Sequence, residues 1–266
     1  MFTTSDQLGR TLKFQSSPSR IVSLVPSQTE LLYDLGLESE VVGITKFCIH
    51  PKKWFNSKTR VGGTKQLDLD KIRSLQPDLI IGNKEENDQE QVVQLMREFP
   101  VWMSDIYNLN DACQMINSLG RLLGKQSSSQ RMIQAIVDSF KELEKNKPLI
   151  PKKTVYLIWK DPWMVAGRHT FINDMLERCG FVNAFSGQLR YPETNPQELL
   201  QMNPDIILLS SEPYPFKEKD LQLMKVLIPK AKVLLVDGEV FSWYGSRLEK
   251  APEYFKTLFL QINSAS

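Results

Sequence analysis

Short runs, most of them continuously apolar, recur along the chain at 21–25, 41–44, 79–82, 101–104, 154–159, 206–210 and 233–237. They are rich in β-branched residues and do not alternate with polar ones. Each therefore predicts a parallel strand covered on both faces. Helical patterns separate them. Ser27-Gln28-Thr29-Glu30 fits a capping box in which Ser27 takes the Glu30 amide and Glu30 reaches back. Leu31, Leu32 and Leu35 follow at helical spacing, and Gly36 fits the C-terminal cap. Asn195 caps a second helix with Pro196 in its first turn, and Thr170 caps a third over 171–178 that Gly180 ends. Alternating strands and helices predict α/β lobes, each with a mostly parallel sheet flanked by helices.

A weak internal repeat predicts two such lobes. Residues 69–81 read as a short helix, a proline stop at Pro77 and a strand, and 197–208 repeat that order around Pro204. The offset of roughly 130 residues suits a lobe rather than a solenoid. Between them, Met115, Ile116, Leu119, Leu122 and Leu123 form one apolar stripe, and Met132, Ile133, Ile136, Val137, Phe140 and Leu143 another. Gly124 to Ser129 predicts a bend, and 145–153, with Pro148 and Pro151, an exit linker. The expected organisation is a lobe over 1–108, a helical connector over 109–147 and a second lobe over 148–266.

The length of 266 residues suits two cores. A net charge of +2 gives no argument for nucleic acid or an anionic membrane surface. No apolar stretch is long enough to cross a bilayer. No charged n-region precedes an apolar h-region at the start. The chain as it stands is thus expected in the cytoplasm, or in the periplasm if a leader has been removed. Cys48, Cys113 and Cys179 form no CxxC pair, so neither a disulfide framework nor a thiolate zinc site is expected, and Cys179 reads as a buried thiol.

The motifs of phosphate loops, dinucleotide folds, zinc proteases and serine hydrolases are absent; Gly120 to Lys125 has the wrong spacing for a phosphate loop. His50 and His169 stand apart in sequence, and no metal site, intrinsic cofactor or catalytic residue is expected. The chemistry concentrates instead in loops that follow the strands, where open parallel sheets bind ligands. These are Phe47 to Pro51, Asn83 to Asn87, Lys160 to Met164, Arg190 to Pro192, Ser210 to Phe216 and Asp237 to Tyr244, with Arg247 close behind. Aromatic residues beside prolines make stiff walls for a flat or bulky ligand. Glu85 and Glu86 are expected to be solvated.

The segments Asp6-Gln7-Leu8-Gly9-Arg10-Thr11, Arg20 to Glu30, Val61-Gly62-Gly63 and Leu69 to Ile81 together resemble the class III substrate-binding proteins of ABC importers. That family takes up cobalamin, haem and ferric siderophores. The resemblance runs over nearly the whole chain and is strongest to the cobalamin-binding branch. It implies two α/β lobes joined by one long helix, no enzymatic activity and a corrinoid held in the inter-lobe cleft, with haem or a ferric siderophore as the alternative. The implied ligand-binding residues are Pro26, Ser27, Phe47, His50, Trp159, Trp163, Tyr191, Phe241, Trp243, Tyr244 and Arg247. Importer docking in this family uses an acidic residue on each lobe. Asp70 fits the first; the second aligned position holds Gln197, with Glu198 beside it. The expected partners are the small ligand and an importer permease, and a monomer is expected. Two other readings compete. One is an unexported carrier or sensor of such ligands. The other is a chelatase on the same architecture, which should gather histidines and carboxylates.

Overall fold

The computed structural model describes residues 2–147 and 150–263, so Pro148 of the expected linker lies outside the described residues. The chain divides into two compact units. Unit 1 comprises 1–106, 110–135 and 244–247; unit 2 comprises 107–109, 136–243 and 248–266.

Unit 1 opens with a hairpin, β1 (Phe2–Ser5) and β2 (Thr11–Phe14), which the apolar pattern did not announce. Its turn explains the Asp-x-x-Gly-Arg segment. The Asp6 carboxylate accepts the backbone N–H groups of Leu8 at 3.0 Å and Arg10 at 2.9 Å, and pairs with the Arg10 guanidinium. Gly9 supplies the left-handed turn residue at φ +77°. The sheet follows as β3 (Ile21–Ser23), α1 (Pro26–Asp34), β4 (Val41–Ile44), α2 (Lys52–Ser57), β5 (Thr59–Arg60), α3 (Leu69–Ser74), β6 (Leu79–Asn83), α4 (Gln89–Met96) and β7 (Val101–Ser104). All five strands are parallel, in the order β5-β4-β3-β6-β7.

The capping box at Ser27 is not formed. Pro26 takes the first helical position, the N-cap is Val25, and no side chain caps the helix. Proline has no N–H to satisfy there and its φ suits a first turn, so the box is displaced. Glu30 is thereby left for another partner.

The 109–147 segment forms two helices, α5 (Leu109–Leu122) and α6 (Gln126–Lys145), and the 135/136 boundary between the units falls within α6. Gly124, at φ +67°, turns the chain, and the Lys125 N–H closes on the Gly120 carbonyl at 2.7 Å. A Cβ on Gly120 would lie 2.0 Å from Ser129 Oγ, so glycine permits the close approach of α6.

Unit 2 contains β8 (Lys152–Trp159), β9 (Trp163–Val165), α7 (Phe171–Arg178), β10 (Phe181–Asn183), β11 (Glu193–Thr194), α8 (Pro196–Met202), β12 (Ile206–Ser210), α9 (Glu218–Leu227), β13 (Lys232–Val236), α10 (Gly238–Ser242) and α11 (Ala251–Asn263). Its sheet runs β11-β9-β8-β12-β13, with β10 also parallel to β8. The β8, β12 and β13 strands are parallel, while β9 and β11 are antiparallel additions. Thr170 and Asn195 cap α7 and α8 as their spacing predicts.

The internal repeat is real in three dimensions. Gln76 and Asn203, each just before its proline, take left-handed backbone at φ +43° and +45°. The following aspartates tie back to the neighbouring strand in the same way. Asp78 accepts the N–H of Arg20 at 2.8 Å, and Asp205 that of Lys153 at 2.8 Å.

Candidate functional site

Both sheets place their topological switch beside a central strand: the chain leaves β3 on one side and returns as β6 on the other, and β8 and β12 repeat the pattern. Ligands of open parallel sheets bind beyond the carboxyl ends of such strands.

In unit 1 the loop after β6 is fastened by a buried polar network. Asn83 Nδ2 and Gln28 Nε2 both donate to Ser104 Oγ, at 3.0 and 2.5 Å. The Asn83 Oδ1 accepts the N–H groups of Glu85 and Glu86 at 2.8 and 3.0 Å. Asn87 Oδ1 accepts the Asn83 N–H at 2.8 Å. Buried polar groups satisfied in this way hold a loop in one geometry. The loop presents Glu86, which receives the Tyr244 hydroxyl. Glu85 and Glu86 are half-buried rather than solvated, because the Asn83 turn folds the segment back. Burial pushes the Tyr244 phenol well above its ordinary value, and the facing Glu86 carboxylate pushes it further. Tyr244 also faces the Ser27 hydroxyl. Gly245 allows this approach, since a Cβ there would lie 2.8 Å from the Ser27 carbonyl oxygen. Arg247 then grips Glu30. Thus Pro26, Ser27, Tyr244 and Arg247 are brought together around α1. Phe47 and His50 lie in the β4–α2 loop; Phe47 is 51% exposed, with Lys46 Nζ 5.2 Å from its ring centre. Cys48, between them, is buried against Thr29 and Thr45, and its thiol is pushed up to about 11 by desolvation.

In unit 2, Trp159 ends β8 and is 39% exposed, edge-on to Tyr214 at 5.7 Å. Trp163 is half-buried, stacked on Phe216 at 6.1 Å, with Lys160 over its ring at 5.5 Å. Lys160 is itself held by Asp220 at 2.8 Å. Tyr191 is half-buried in the loop before β11. Phe241 is fully buried, 5.0 Å from Tyr156 and 4.9 Å from Phe255. Trp243 is buried and donates its indole N–H to Glu212 at 2.8 Å, and Ser242 Oγ donates to the same oxygen at 2.7 Å. Burial pushes the Glu212 carboxyl above its ordinary value, and the nearby Glu239 and Asp237 carboxylates add to this. From the sequence, Glu30 reads as a capping residue and Glu86 as solvated, and nothing singles out Glu212 within the 210–216 loop.

Of the acidic pair expected to dock a partner, Asp70 is 95% exposed near the start of α3, paired with Arg73 at 2.9 Å. Glu198 on α8 is half-buried and accepts from Thr194 Oγ1 at 2.8 Å and Gln188 Nε2 at 3.3 Å. Among the described residues, no group of three or more His, Cys, Asp or Glu side chains is arranged to hold a metal ion, and no helix is long and apolar enough to cross a membrane.

The family model of the periplasmic binding proteins matches residues 21–226. The chain belongs to that family. A Bacillus subtilis relative, an uncharacterized ABC transporter substrate-binding lipoprotein, is 25% identical over 215 residues, covering 77% of this chain and 68% of its own. A vitamin B12-binding protein of Vibrio cholerae is 24% identical over 197 residues, covering 72% and 70%. Among solved structures, the periplasmic haem-binding protein of a Roseiflexus species superposes with a TM-score of 0.81 at 22% identity, covering 92% of this chain and 99% of that one. As a periplasmic binding protein of the class III substrate-binding type, the chain is a two-lobed α/β protein.

Proposed function

We propose that this protein is the solute-binding component of an ABC-type uptake system, acting as a monomer, and that its ligand is a corrinoid of the cobalamin type. One observation carries the reading. Aromatic side chains that reach solvent stand in strand-end loops: Phe47 after β4 in unit 1, and in unit 2 Trp159 at the end of β8 and Trp163 at the start of β9. Broad aromatic faces suit a large, flat macrocycle. The B12-binding relative supports a corrinoid. Haem is the second reading, favoured by the haem-binding structural neighbour. Holding such a ligand asks no residue to change its covalent state, so no enzymatic step is assigned. Asp70 is the proposed contact to the permease.

Titration calorimetry with cyanocobalamin, haemin and a ferric siderophore tests the proposal. Saturable micromolar or tighter binding of cyanocobalamin is expected. Binding of haemin or the siderophore alone would keep the transport role and replace the ligand. Binding of none would overturn the tetrapyrrole reading. Asp70→Lys should leave ligand affinity unchanged and abolish uptake in cells.

A further inference from the structure

Two loops of unit 2 are stitched side by side. The Gly167 N–H donates to the Arg190 carbonyl, the Arg168 N–H to that of Gln188, and the Arg190 N–H to that of Arg168, each at 2.8 Å. Gly167 is required, since a Cβ would fall 2.4 Å from the Gln188 carbonyl oxygen. The stitching holds His169 at φ +57° and Arg190 at φ +64°. Left-handed backbone is uncommon for such residues and persists where the surroundings over-determine it.

The outcome is a positioned cation. The Arg190 guanidinium carbon lies 5.6 Å from the ring centres of both Tyr107 and Tyr191. Its Nη1 donates to the His169 carbonyl at 3.0 Å. The His169 ring stands edge-on to Tyr107, 6.1 Å away at 82°. Arg190 and both tyrosines are half-buried, and His169 is exposed. Aromatic faces steady a guanidinium through its flat sides. Its N–H groups point in the plane, where their fork matches a carboxylate or phosphate.

We propose that Arg190, positioned by Tyr107, Tyr191 and His169, receives an anionic oxygen group on the rim of the tetrapyrrole and selects ligands that carry one. The inference rests on the tetrapyrrole reading above. The shared chemistry is an oxyanion, which haem supplies as carboxylate and cobalamin as the phosphodiester of its nucleotide arm.

Two matched pairs separate these sources in calorimetry: haemin with its dimethyl ester, and cyanocobalamin with dicyanocobinamide, which lacks the phosphate. Arg190→Gln should lower affinity for the anionic member of the bound pair about tenfold, the loss of one charge-assisted hydrogen bond, and leave its uncharged counterpart within about twofold. Arg190→Lys keeps the charge without the fork and should recover part of the loss; it also serves if the glutamine variant folds poorly. Equal losses for both members of a pair, or no loss, would overturn the assignment while leaving the tetrapyrrole reading intact. A parent protein that binds no member of either pair overturns both.

Discussion

Arg247 donates from Nε and Nη2 to the two carboxylate oxygens of Glu30, at 3.0 and 2.8 Å, across 217 positions of sequence. The two side chains keep only 19% and 20% of their exposure. The pair ties the 244–247 segment to α1, next to Ser27 and Tyr244. Glu30 lies three residues beyond Ser27 on α1, and Arg247 three beyond Tyr244.

Removing the cation leaves Glu30 largely buried without it. Arg247→Ala should therefore cost about 2–3 kcal/mol of stability in urea denaturation. The double variant Arg247→Ala with Glu30→Gln should cost clearly less than the sum of the singles, because the uncompensated carboxylate is gone. Additive losses would mean that the two residues act independently.

Glu212 predicts a pH effect. Its folded-state pKa is raised above the ordinary value of 4.5, chiefly by burial. The folded protein therefore holds this proton more tightly than the unfolded chain. The contribution is fully present below the unfolded value and is lost as pH rises from there through the folded pKa. Glu212→Gln keeps an acceptor for the Trp243 and Ser242 donors but cannot ionise. The stability of the variant relative to the parent should rise as pH increases from about 4 towards neutrality. A difference that stays flat with pH would show that Glu212 does not titrate in this window.

Phe241 and Trp159 should respond in opposite ways to truncation. Phe241→Ala empties a fully buried position among Tyr156, Tyr254 and Phe255, so it should cost about 3–5 kcal/mol of stability. Trp159→Ala removes a ring that is 39% exposed. It should lower ligand affinity by about tenfold or more and shift the urea midpoint little. Measuring both quantities on both variants separates packing from binding.

Gly245→Ala should destabilise the protein by about 1–3 kcal/mol, since its Cβ would meet the Ser27 carbonyl oxygen at 2.8 Å. Gly187→Ala is the control, because nothing lies within 4 Å of a Cβ there. Equal melting temperatures for the two variants would refute the close approach.

Much of this protein was legible from local pattern alone. Val41–Ile44, Val101–Ser104 and Ile206–Ser210 form as strands with the limits their apolar runs imply, and Phe171–Arg178 as a helix with its cap at Thr170. Continuous burial on both faces of a parallel strand writes itself into every residue, and a cap needs only a side chain and an amide three positions away. The short strands Trp163–Val165, Phe181–Asn183 and Glu193–Thr194 left no such trace, because each gains its hydrogen bonds from β8 or from another added strand rather than from its own pattern.

The strand-end loops were also readable, since their aromatic and proline content is local. What each side chain does there was not. Glu30 reads as a helix cap until Pro26 occupies the first turn and Arg247 arrives from the far end of the chain. Glu86 reads as solvated until Asn83 folds its loop back and Tyr244 donates to it. Phe241, Trp243 and Trp159 are alike as aromatic residues after strands, yet the first two are buried and the third reaches solvent. Helices and parallel strands draw on neighbours in sequence or on burial that a run of residues records. Ion pairs, buried carboxylates and the choice between a core ring and an exposed one depend on partners tens to hundreds of positions away, which only the folded chain brings within reach.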